Sequence, residues 1–328
     1  MNQVDIVQRA FRLTWRNRAL WVFGILLALT GGGFGGGGGP SWRTGNVPFA
    51  PGARGFPDMG IPDPATLAGI IALCCCLLLI LAIVAVILRY VARTALYRMV
   101  DRIEGAEASP TWRDGFRLGW DHRSFRLFLL DLVVGIPFAI VALVLIAIGA
   151  SPLVLLATES DALKVLGIAS AVGLLLLIVL LIIIMAAFLS LLTQFWSREI
   201  VLQDRGIGTA LSSGYRLARG RLKDTGAMWL LMLAIAVGYG IAMLVVGLTL
   251  FVVGAAIGGG LGWLIYLSSH SVALAAAIGV PLFLLFFIVP LVFVSGIYKA
   301  WESGAWTLAY REIAPRSAEA PSVEPVAA

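Results

Sequence analysis

From Thr225 to Tyr298 the chain carries no Asp, Glu, Lys or Arg. No water-soluble domain of ordinary composition tolerates such a stretch, because about a quarter of its residues are charged. Over the whole 328 residues only 13% are charged and 60% are hydrophobic. The chain is therefore expected to be an all-α integral membrane protein, since a helix satisfies its own backbone in lipid.

A helix needs about 20 apolar residues to cross roughly 30 Å of hydrocarbon. Leu67–Leu88, Leu127–Ala150 and Val165–Leu192 meet that requirement. The stretch after Thr225 is too long for one crossing. Gly258-Gly259-Gly260-Leu261-Gly262 and Ser268-Ser269-His270-Ser271 divide it into spans at about Ala227–Ile257 and Val272–Tyr298. A sixth span, Ala19–Thr30, has only 12 residues, or about 18 Å of helix. A cleaved secretory leader is the competing reading of that segment.

The basic residues settle on one side of this scheme. The segment up to Arg18, residues 89–126, residues 198–224 and the chain from Lys299 hold 21 of the 24 Lys and Arg. The alternate loops hold only Arg43, Arg54 and Lys164. By the positive-inside rule this predicts six spans in the cytoplasmic membrane, with both termini in the cytoplasm. It also favours a full crossing by Ala19–Thr30, because the alternation fails without it.

A short motif recurs on the basic side, each time before an apolar run. Its copies are Ala10-Phe11-Arg12-Leu13, Gly115-Phe116-Arg117-Leu118 and Gly214-Tyr215-Arg216-Leu217. Tyr97 and Trp196 stand 18 residues before the second and third copies. The unit so defined is an interfacial amphipathic helix followed by a helical hairpin. Three units, at about 1–100, 101–200 and 201–312, form one membrane domain of parallel pseudo-repeats. Gly304–Arg311 reads as a faint fourth copy of the interfacial helix. The Gly/Pro-rich loop 31–64 is expected outside, and 313–328 is expected to be a disordered cytoplasmic tail.

On a helix, Val7, Phe11 and Trp15 share a face, and Arg9, Arg12 and Arg16 share another. Trp112, Phe116 and Trp120 repeat the aromatic stripe beside Arg113 and Arg117, and Leu211 and Tyr215 repeat it beside Arg216 and Arg219. Ser109-Pro110 has the form of an N-cap followed by a first-turn proline. An aromatic stripe beside arginines suits a helix lying in the membrane interface. Two readings stay open. The helices anchor and orient the hairpins, or they form a cytoplasmic collar that binds anionic lipid or a partner protein through Phe11, Arg12, Trp15, Phe116, Arg117, Trp120, Tyr215 and Arg216.

Asp131 is the one charge well inside an apolar run, and such a residue is a functional candidate. It either pairs with Arg126 or another interfacial arginine, or relays protons or cations. Pro137, Pro281 and Pro290 fall within spans and mark either packing kinks or hinges of a substrate path. Gly254, Gly258 and Gly262, four apart, have the spacing for close helix approach.

Cys74, Cys75 and Cys76 are consecutive and lack the spacing of a zinc site or disulfide framework. His122 and His270 fall on opposite sides and cannot share a metal. No zinc-protease, nucleophile-elbow or phosphate-loop motif is present. The sequence thus gives no catalytic constellation and no cofactor. Expected partners are membrane lipids, with a membrane-protein partner or a second copy beside them, and no nucleic acid.

Arg-Glu-Ile-Val-Leu-Gln-Asp-Arg-Gly from Arg198, then Ala210-Leu211-Ser212-Ser213-Gly214-Tyr215-Arg216-Leu217 and a new apolar run, resembles a broad prokaryotic group of six-span proteins. That group includes the membrane domain attached to some glycerophosphodiester phosphodiesterases and its stand-alone relatives. The resemblance implies a helical membrane domain. The chain has no long polar segment to hold the phosphodiesterase barrel, so the diesterase activity does not carry over. Two functions follow as expectations: a non-enzymatic module binding lipid or partner through the collar, or a small permease with a path between the repeats.

Overall fold

A computed structural model describes residues 2–31, 64–105, 110–158 and 160–314. These residues are helical throughout, with no strand among them. The helices are α1 (Gln3–Arg16), α2 (Ala19–Thr30), α3 (Pro64–Glu104), α4 (Trp112–Gly119), α5 (His122–Ala150), α6 (Asp161–Gln203), α7 (Ile207–Gly220), α8 (Leu222–Gly254), α9 (Gly260–Ser269) and α10 (Val272–Ile313). Of the loop expected at 31–64 only Gly31 and Pro64, and of the tail expected at 313–328 only Ile313 and Ala314, are among the described residues.

Five helical stretches are long and apolar enough to cross a membrane. α2 is apolar but short. Large apolar side chains face outward along the five, including Leu73, Leu143, Leu176, Leu244 and Leu285. Lipid is the solvent that such a surface requires. In α3, residues 71–84 are exposed on every side.

The buried core lies instead at the Arg-rich end. It gathers Ile6 and Ala10 of α1, Leu20 and Phe23 of α2, Ala92 to Val100 of α3, Phe195 to Val201 of α6, and Ala300 to Ile313 of α10. α10 is the central element, packed by α1, α2, α3, α8 and α9. The segment Gly304–Arg311, expected as a fourth interfacial helix, is the last part of α10, and all of it but Arg311 is buried. Its small and aromatic residues serve helix packing, not an interface.

Close backbone contacts fix the hairpins and their neighbours. A Cβ at Gly24 of α2 would collide with the Gly296 carbonyl and lie 2.9 Å from the Ala300 Cβ. α5 meets α6 where a Cβ at Gly149 would lie 2.8 Å from Leu175.

The glycine run does not break its helix. Ala255–Gly259 is a single π turn that joins α8 to α9, and the chain stays helical to Ser269. The reversal comes at His270, which adopts a left-handed conformation with φ of 50°. The fourth span therefore extends beyond Ile257. Gly254, Gly258 and Gly262 lie against α10: a Cβ at Gly258 would fall 2.6 Å from the Gly279 carbonyl and 2.8 Å from the Phe283 Cβ. In lipid, where polar loops are costly, small residues every fourth position promote close packing. Pro137 lies inside α5, and Pro281 and Pro290 lie inside α10, without interrupting either helix.

Candidate functional site: the basic face and its buried support

Each motif helix rests on the end of a long helix. α1 packs on α10, α4 on α3 and α7 on α6. The first motif residue makes this contact, and it must be small. Ala10 is buried, and its Cβ lies 4.0 Å from where one would stand on Gly304. A Cβ at Gly115 would meet the Phe23 ring and lie 2.7 Å from the Met99 Sδ. A Cβ at Gly214 would lie 2.6 Å from the Trp196 Cδ1.

The arginine that follows by two positions points away from this contact. Arg12, Arg117 and Arg216 are all exposed, and none has a carboxylate partner among the described residues. Other arginines do. Arg9 bridges Asp5, Glu104 and Glu312. Arg311 pairs with Asp101 at 2.9 Å, and Arg205 with Glu199 at 2.9 Å. Arg9 thus leaves the free basic face on which the spacing placed it and instead ties α1 to α3 and α10.

The aromatic positions are less uniform. Phe11 and Trp15 are exposed and stacked at 5.8 Å. Trp15 leads to Trp21 at 5.5 Å, and Trp21 to Phe293 at 6.0 Å. This ridge runs from α1 onto the apolar belt. Val7, Gln8, Phe11 and Arg12 also line, with Trp301 of α10, a groove of about 410 Å³. The second copy differs from the expected stripe. Phe116 is half-buried against Phe23, at 5.0 Å, and Trp120 caps the end of α4. α4 also starts differently. Thr111 is its N-cap, in a capping box with Asp114, while Ser109 lies outside the described residues. Tyr215 is exposed on α7.

Beneath the basic face lies a buried polar chain. Arg198 of α6 is 1% exposed and has no acidic partner in contact among the described residues. Its guanidinium is held by neutral groups: Nη1 donates to the Gln194 carbonyl (2.7 Å) and side-chain Oε1 (2.9 Å), Nη2 to the Ser303 carbonyl (3.2 Å), and Nε to the Thr307 hydroxyl (3.3 Å). Its face covers the Tyr97 ring at 4.5 Å. α3, α6 and α10 meet at this one side chain. Its neighbour Glu199 accepts from Tyr310 (2.9 Å), Ser213 (3.2 Å) and Arg205, which secures α7.

Asp131 belongs to the same chain of contacts. Its Oδ2 accepts from Tyr90 and from Arg93 Nη1, both at 3.0 Å, and Arg93 Nε donates to the Tyr97 hydroxyl at 3.0 Å. The partner of Asp131 is therefore Arg93. Arg126 turns instead to Asp204, at 3.0 Å.

A third group sits at the start of α5. His122 lies between Asp121 (Nδ1, 2.6 Å) and Asp204 (Nε2, 3.3 Å). Arg98 and Arg123 add their charges. Desolvation alone would raise the Asp121 carboxyl, but the hydrogen bonds from His122 and the charge of Arg98 outweigh it and hold the group below the usual range. Asp204 is lowered in the same way: Arg123 and His122 override desolvation. The Thr111 hydroxyl and N–H hold Asp114 down. Among the described residues no three His, Cys, Asp or Glu are grouped so as to hold a metal. Cys74, Cys75 and Cys76 are exposed along α3.

Arg198, Glu199, Arg93 and Tyr97 were not singled out by the sequence as buried partners. A usable signal was present. Thr94-x-x-Tyr97-Arg98, Thr193-x-x-Trp196-x-Arg198 and Thr307-x-x-Tyr310-Arg311 stand at the ends of α3, α6 and α10.

A family profile matches residues 2–301, nearly the whole of the described chain. The chain belongs to that family, the family of unknown function DUF7544. No curated protein and no solved structure matches it.

Proposed function

We propose that the protein is a six-span, non-enzymatic module of the cytoplasmic membrane, with both termini inside, whose basic face forms a collar that binds anionic lipid. The observation that carries the proposal is that Arg12, Arg117 and Arg216 are exposed and, among the described residues, form no ion pair, while Arg9, Arg93, Arg123 and Arg311 are engaged. An arginine kept free at the same place in three motif copies is suited to a ligand from outside the chain. Near an anionic surface each contributes about 1 kcal/mol.

The arrangement as three parallel units is part of the same proposal. In support, each motif helix rests on the returning helix of the preceding unit, and α1 closes the cycle on α10. The kinship with the membrane domain of glycerophosphodiester phosphodiesterases is likewise proposed, on the Arg198–Leu230 pattern and the hairpin layout. The transport alternative rests on Asp131, which is engaged by Arg93 and Tyr90, and on Pro137, Pro281 and Pro290, which lie inside unbroken helices.

The test is the triple variant Arg12→Gln, Arg117→Gln, Arg216→Gln, purified gently and assayed by mass spectrometry for bound lipid. Loss of anionic lipid from a folded protein is the expected result. Unchanged lipid content overturns the reading, and loss of a copurifying protein in place of lipid makes the collar a protein-binding surface.

A further inference from the structure

The three copies of the motif do not offer the same surface. Gly115 and Phe116 are committed to Phe23 and Met99, and Gly214 is committed to Trp196. At the first copy, Phe11 and Arg12 both line a concavity, the groove between α1 and α10. It is lined by the apolar Val7, Phe11 and Trp301 and by the polar residues Gln8 and Arg12. Trp301 already donates its indole N–H to the Val7 carbonyl at 3.3 Å. The indole therefore presents a ring surface to the groove, and its donor is not free to solvate an occupant.

We infer that this groove is a dedicated site for one phospholipid, with the headgroup phosphate on Arg12 and Gln8 and the acyl chains along the Phe11–Trp15–Trp21–Phe293 ridge. The inference rests on the lipid-binding reading of the collar and narrows it to one position. Three features specify the occupant. Arg12 is the charged residue among the described residues lining the groove and forms no ion pair with them, so the occupant is anionic there. The volume is near the lower limit of small-molecule sites, which run from about 300 to 1,000 Å³; it suits a phosphoglycerol unit and leaves the chains outside. The exposed aromatic path begins at Phe11, inside the groove, and ends at Phe293 on the apolar belt. A soluble anion uses none of that path, and a lipid uses all of it.

The experiment is native mass spectrometry of the intact chain titrated with phosphatidylglycerol, with inorganic phosphate as competitor. Wild-type protein should retain one tightly held phosphatidylglycerol. Arg12→Gln should weaken it about tenfold, as expected for a charge-assisted hydrogen bond. Gln8→Trp, which fills the groove and leaves Arg12 in place, should do the same. Arg117→Gln and Arg216→Gln should retain it. Equal losses from all three arginine variants overturn the dedicated site and leave the collar standing. No loss even from the triple variant overturns both. Displacement of the lipid by millimolar phosphate makes the groove a plain anion site and also overturns the inference.

Discussion

Trp196 occupies the space that any side chain at Gly214 would need. The same relation joins Met99 and Gly115 at the preceding motif helix, and the backbone of Gly296 and Gly24 deeper in the chain. Gly115→Ala, Gly214→Ala and Gly24→Ala should each destabilise the protein, by about 1–3 kcal/mol for overpacking a rigid contact. Gly24→Ala should be the worst, because its obstacle is backbone. Thermal unfolding in one detergent would rank them, with Gly238→Ala as control, since nothing lies within 4 Å of a Cβ there.

Arg198 and Arg12 are both arginines near the basic face, and they should behave in opposite ways. Arg198→Leu removes four hydrogen bonds and the Tyr97 ring contact at once and takes this donor from the Gln194 side-chain oxygen. An unsatisfied buried group costs about 1–3 kcal/mol, so a clear drop in thermal midpoint is expected. Arg12→Gln, exposed and unpaired, should stay within about 0.5 kcal/mol of wild type. A reversed order in the unfolding assay would remove Arg198 from its place at the junction of three helices.

Asp131 and Arg93 should be energetically coupled. Both side chains keep some exposure, 25% and 17% respectively, which screens the pair. A double-mutant cycle with Asp131→Asn and Arg93→Gln should give a coupling of about 1 kcal/mol. Additive effects would show that the contact contributes nothing. Flux of small cations in proteoliposomes should be the same for Asp131→Asn and wild type.

The carboxyls of Asp121 and Asp204 are held low in the folded protein, so their contribution exists only while they are ionised. It is complete above the unfolded carboxylate value of about 4. It disappears as pH falls through the lower folded values. The difference in thermal midpoint between wild type and Asp121→Asn should therefore be clear at pH 5 and shrink below pH 4. A difference that instead grows with acid would contradict the depressed state.

The proposed six crossings predict His270 outside and Arg205 inside. With Cys74, Cys75 and Cys76 replaced by Ser, His270→Cys should react with an impermeant maleimide from outside. Arg205→Cys and Gln3→Cys should react only after permeabilisation. Outside labelling of Gln3→Cys alone would mean that α2 does not cross.

The apolar runs were legible because charge is so costly in lipid that its absence marks a span. The three motif helices were legible because Phe11–Arg12 and its counterparts repeat. What the sequence hid is which side of a uniformly apolar helix meets protein. Gly258 reads as a loop residue by soluble rules, yet in a helix without polar neighbours it is a contact point for Gly279. Arg198 reads as one more basic residue of an interface, because burial depends on Tyr97 and Thr307, 101 and 109 residues away. The motif drew attention to its aromatic and arginine, and the small first residue proved to be the one that seats the helix.

The docking of α1 on α10 also sets an order of assembly. Ribosomes deliver the chain from its N-terminus, so α1 emerges well before the surface that receives Ala10, around Gly304 and Trp301. Until then Ile6, Ala10 and Thr14 lack the cover that α10 gives. Helix α1 is thus made long before it can be seated, and its seating reports that α10 has arrived.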